Sequence, residues 1–153
     1  MKISAAGVLF AFLASIYPAL ADNNAAKKDL ARMQGVRQLA SGESDGEAAG
    51  AYALEHFRCE FKEDLLTFEG IAPLTDKAGK LRVRIVDTTT IPKCIDLKIE
   101  AGDMKGVLWE GAYDWQGDNL KLCQFIDKGN RPGEFEAKRG SNRIVLVLKK
   151  VKP

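Results

Sequence analysis

Histidine is nearly missing from this chain: His56 is the only one among 153 residues. One imidazole cannot supply a His-pair metal site, and no CxxC pair stands in for it, so no metal or cofactor is expected. The motifs that announce well-understood chemistry are lacking too. There is no G-x-S-x-G, no H-E-x-x-H, no Gly-rich phosphate loop and no series of EF-hand ligands. Acid–base catalysis would have to run through His56 alone, and its parity, opposite to Phe57, points it at solvent. The expectation is therefore a protein without enzymatic activity. Charge of one sign is lacking as well, with 23 basic and 21 acidic residues, which is not the balance of a nucleic-acid binder.

Long apolar runs are confined to the start of the chain. Met1-Lys2, the apolar stretch 5–14 and Tyr17-Pro18-Ala19-Leu20-Ala21 follow the order of a secretory signal: basic, apolar, then a small-residue cleavage site. The expected division is a signal peptide over 1–21, cleaved after Ala21, and one domain over 22–153. The apolar core is too short to span a membrane comfortably, and nothing later approaches about 18 consecutive apolar residues. A secreted or periplasmic location is expected, with 22 basic and 21 acidic residues left after cleavage. Arg82 and Arg84, and the basic run Lys149, Lys150 and Lys152, read as solvated faces. Cys59, Cys94 and Cys123 are an odd set for an exported protein, so at least one thiol stays free or pairs between chains.

What the chain does have is a long series of short strands. A short helix is expected over 27–34, ended by Gly35, followed by a polar loop over 41–47. From about Tyr52 the period becomes two. Phe57, Cys59 and Phe61 share one face of a strand over 54–61, and 65–71 follows a Glu63-Asp64 turn. Leu81, Val83 and Ile85 alternate with Arg82, Arg84 and Val86; Ile95, Leu97 and Ile99 alternate with Asp96, Lys98 and Glu100. Val107, Trp109, Gly111, Tyr113 and Trp115 lead through the tight turn Gly117-Asp118 to Leu120 and Leu122. A short strand is expected to open at Phe135, and 144–148 forms the last. Eight or so one-sided antiparallel strands leave edges exposed unless the sheet closes, so the pattern predicts a mainly β, up-and-down antiparallel barrel with a short N-terminal helix. A β-sandwich is the alternative. Gly111 in mid-strand suits the sharper coiling of a barrel.

Several segments in order carry a resemblance. They are 29–35, Pro92-Lys93-Cys94-Ile95-Asp96-Leu97, Gly111-Ala112-Tyr113, 117–123, Arg131-Pro132-Gly133-Glu134-Phe135 and Leu148-Lys149-Lys150. Together they resemble an uncharacterised lipocalin-like family of small secreted domains from planctomycete-type bacteria. The resemblance implies an exported small barrel of the lipocalin and fatty-acid-binding type, without an assigned activity. It also implies a Gly-x-Trp on the first strand, whose Trp plugs the closed end; here the residues are Gly35-Val36-Arg37, so the usual apolar plug is gone, although the Arg37 stem can still pack across that opening.

Two functions follow from these expectations. In the first, Phe57, Phe61, Val83, Leu97, Trp109 and Tyr113 line a site for a small hydrophobic ligand at the barrel's open end. In the second, the core is filled and the protein is a structural or protein-interaction domain of the cell envelope, its contact face marked by Trp115, Phe125 and Cys123. Asp96 and Arg131 could form a rim that orients a polar head group; in the simpler reading Asp96 lies on the outer face and Arg131 ties its loop to nearby carbonyls or acids.

Overall fold

The chain leaves α1 (Asn23–Met33) through Gly35, whose φ of +99° ends the helix in the left-handed conformation that glycine accepts most readily. Helix α1 turns Ala26, Leu30 and Met33 to one side, at the four- and three-residue spacing that aligns side chains on a helix face. The computed structural model describes residues 23–125 and 130–153. The expected signal peptide, 1–21, lies outside them.

Eight antiparallel strands close into a barrel. They are β1 (Gly35–Ser44), β3 (Arg58–Lys62), β4 (Leu65–Glu69), β5 (Lys80–Asp87), β6 (Lys93–Ala101), β7 (Leu108–Gln116), β8 (Asn119–Phe125) and β9 (Arg143–Lys150). Each pairs with the next, and β1 meets β9 from Arg37↔Lys150 to Ser44↔Ile144, so the sheet has the closure that a sandwich lacks. A two-residue strand, β2 (Glu47–Ala48), hangs from the end of β1. The Gly117-Asp118 turn joins β7 to β8, with Gly117 at φ +60°. A Cβ on Gly111 would lie 3.1 Å from the Ile95 carbonyl oxygen and 3.2 Å from that of Cys123, so this position keeps its neighbours close only without a side chain.

The expectations from sequence need correcting in five places. Residues 51–56 form helix α2 (Ala51–His56) instead of opening a strand, and 72–78 form a further helix, α3 (Ala72–Ala78). The expected loop over 41–47 is largely the far half of β1, held by β9. Phe135 is in no strand. On β5 a bulge between Val83 and Ile85 shifts the register, which puts Val86 in the core instead of beside Arg82 and Arg84.

Helix α1 lies across the barrel end that carries the β3–β4 and β7–β8 turns; α2 and α3 lie at the other. Inside, Phe61, Leu66, Leu81, Leu97, Ile99, Leu120 and Leu148 are all but inaccessible to solvent. Each such side chain contributes about 1.5–3 kcal/mol on burial.

Candidate functional site

The six residues expected to line a ligand site do converge. Phe57 follows α2, Phe61 comes from β3, Val83 from β5, Leu97 from β6, and Trp109 and Tyr113 from β7; all six belong to one hydrophobic cluster and none is more than 9% exposed. The Phe57 and Phe68 rings meet in a tilted pair with centroids 5.6 Å apart. Ala53, Leu54, Ile71, Leu74 and Met104 pack on the same cluster. These residues belong to or adjoin α2 and α3, or follow β6, so the end expected to be open is covered by chain.

The opposite end is closed by polar contacts. Tyr113 donates its hydroxyl hydrogen to Asp29 Oδ2 at 2.8 Å, and Lys93 Nζ lies 3.0 Å from the same oxygen. Burial comes first, with the Asp29 hydrogen bond, in holding the Tyr113 phenol well above its ordinary pKa. Gln34 fastens the helix end to the β3–β4 turn, donating to the Glu63 carbonyl at 2.9 Å and accepting from its N–H at 2.7 Å.

Arg37 takes the place where the resemblance implies a plugging tryptophan, and it is 1% exposed. Its guanidinium donates to the carbonyls of Met33 (3.1 Å), Arg32 (2.8 Å), Asp118 (3.2 Å) and Leu148 (3.3 Å). It thereby satisfies the last turn of α1, where helix carbonyls lack partners, and joins that turn to β9 and the β7–β8 hairpin. Burial pulls its pKa below the ordinary arginine value. Trp115 lies beneath, its ring 3.9 Å from the Arg32 guanidinium carbon and 5.4 Å from that of Arg37.

On the outside of the barrel, residues 130–140 run as a strap over β6 to β9. Arg131 donates to the Gly111 carbonyl at 2.6 Å and pairs with Asp96 at 2.6 Å, the arrangement of the simpler reading. Burial raises the Asp96 pKa, and Arg131 opposes that rise. Further along, Phe135, Ala137, Val145 and Cys123 make a small second cluster. Cys123 is therefore covered, and Trp115 and Phe125 are half-buried, the latter beneath Arg143. The expected contact face is not an exposed one.

The three cysteines are free and buried. Burial pushes the Cys59 thiol up to about 12 and the Cys123 thiol up to about 11, which leaves both protonated near neutral pH. His56 is exposed at the end of α2, stacked on Tyr52 with centroids 4.2 Å apart. Among the described residues, no group of three His, Cys, Asp or Glu side chains is placed to hold a metal.

Sequence reasoning identified the aromatic core and the tie that Arg131 makes, and the resemblance singled out Arg37; Asp29 and the cover that Phe135 and Ala137 lay over Cys123 were missed. The only available signal for Asp29 was an acid one helical turn before the basic Arg32 and Met33, which is unremarkable by itself. No family model matches this chain, and it matches neither curated proteins nor solved structures.

Proposed function

We propose that this chain is an exported, non-enzymatic barrel domain of lipocalin-like type that acts through its outer surface, as a structural or protein-interaction module of the cell envelope. The observation that carries this reading is the occupied interior. Phe57, Phe61, Leu97, Trp109 and Tyr113 are each at most 4% exposed and pack on one another's cluster, with helices across both ends. A ligand inside would have to displace them, at about 1.5–3 kcal/mol for each large side chain returned to water.

A second reading keeps the interior as the site. It is favoured by the convergence of the same six side chains, Val83 included, on one cluster. The two are separated by native mass spectrometry of the protein from its exporting host. The first reading predicts the mass of the chain alone, beginning at Asp22. Extra mass lost on denaturation, and lost in a folded Trp109→Ala variant, overturns it in favour of a small apolar ligand.

A further inference from the structure

The α1 end carries a groove that neither reading of the interior uses. It is a depression of about 420 Å³ between the last turn of α1, the β7–β8 turn and residues 149–153. That size falls in the lower part of the range of small-molecule sites, about 300–1,000 Å³. Five of its lining residues are cationic, Arg32, Arg37, Lys149, Lys150 and Lys152, and one is acidic, Asp118. In a chain whose formal net charge is only +2, this is a local concentration of positive charge.

The cations differ in how far they are committed. Four of the five N–H groups of a guanidinium are spent by Arg37 on carbonyls, and among the described residues no carboxylate forms an ion pair with it. Arg32 is steadied by its stacking on Trp115 and by a hydrogen bond to the Gly117 carbonyl. Its ion pair, with Asp118 at 3.6 Å, is to a carboxylate fully open to water and so is easily exchanged. Lys149, Lys150 and Lys152 are exposed and form no ion pair with any described residue.

Concave walls of low dielectric concentrate the field of such a cluster, and a fixed guanidinium beside mobile ammonium groups suits an anion with several oxygens and more than one charge. A carboxylate brings a single charge on two oxygens; a phosphate monoester brings about 1.5–2, and a lipid phosphodiester brings one, multiplied by the neighbouring head groups of an anionic surface. We infer that this groove binds a phosphate-bearing anion. The phosphate oxygens are the recognised group whether they belong to a soluble compound or to an anionic lipid head group. The site does not depend on what fills the barrel.

The test is a titration of the full folded chain with pyrophosphate, followed by the ¹H–¹⁵N NMR resonances of the Trp115 indole and the arginine side chains. In parallel, the protein is sedimented with phosphatidylglycerol vesicles and with phosphatidylcholine vesicles. The expected result is a saturable shift at Trp115 and Arg32, at least tenfold weaker in a Lys149→Gln, Lys150→Gln, Lys152→Gln variant. A Lys27→Gln, Lys28→Gln variant, altered at the exposed start of the same helix, should bind as the parent does. Sedimentation with phosphatidylglycerol alone, lost in the triple variant, assigns the site to a head group; saturation by pyrophosphate without sedimentation assigns it to a soluble phosphate. The inference is overturned if neither probe binds, or if the Lys27 and Lys28 control weakens binding as much as the triple variant does.

Discussion

At one end of the barrel the closing contacts are directional and charged: Arg37 on four carbonyls, Tyr113 and Lys93 on Asp29, Gln34 on the β3–β4 turn. At the other the closure is made by apolar side chains and main chain: Ala53, Leu54, Ile71, Leu74 and Met104 pack on the core, and backbone meets backbone closely, with main-chain hydrogen bonds. Gly70, at φ +93°, lies against the His56 carbonyl, and the loop after β6 runs along the C-terminal end of α3, where the N–H groups of Asp103 and Met104 donate to Asp76 and Lys77 at 2.9 and 3.0 Å. Directional contacts fix which groups must meet; apolar contacts fix how much volume must fit. The first end should therefore be sensitive to chemistry at constant size, and the second to size at constant chemistry.

The largest effect is expected from Arg37→Met, which keeps the apolar stem and removes every donor. Four carbonyls lose a partner, and although water will reach some of them, the variant should lose about 3–5 kcal/mol of unfolding free energy in urea titration. A loss below about 1 kcal/mol would mean that the end is wet and that the comparison fails there. Lysine should not rescue it, since an ammonium cannot span four acceptors in a plane.

Gly70→Ala should cost about 3 kcal/mol, because a Cβ would enter the His56 carbonyl oxygen and the positive φ is itself strained for alanine. Its loss should be indifferent to salt. A small loss would show that α2 can move away, making this end the softer of the two.

Tyr113→Phe, a change of one hydroxyl, should cost about 1–2 kcal/mol near neutral pH by leaving Asp29 with Lys93 alone. It should also alter the alkaline limb of the stability profile. The folded-state phenol pKa is raised above its ordinary value of 10.0, so the unfolded chain releases this proton first, and stability present below pH 10 is lost as pH rises beyond it. The phenylalanine variant should decline less steeply there. Equal slopes would place the Tyr113 hydroxyl outside the polar closure.

The strands were legible where alternation was strict. Ile95, Leu97 and Ile99 enter the core as their period requires, and the Gly117-Asp118 turn joins the strands it was expected to join. Alternation misled where a bulge intervened, because one extra residue at Arg84 shifts the pairing register, and Val86 lost its place on the polar side. Helices α2 and α3 were hidden by their length: six or seven residues give too few turns for a period of 3.6 to appear. The six expected site residues are together, but alternation reports only that they point inward. It carries no information on whether inward-pointing side chains leave room between them, and none on which charged residue will cross a barrel end. Arg37 had one hint, as the residue standing where a plug was expected.

The pairing of β1 with β9 sets a clock on folding. Arg37 and Lys150 are cross-strand partners, so the ring cannot close until nearly all of the chain between them exists. At about 5–20 residues per second of synthesis, β1 waits on the order of 5–20 s for its last neighbour. During that interval β3 can pair with β1 but β9 cannot, so the barrel keeps an open seam until synthesis has passed Lys150.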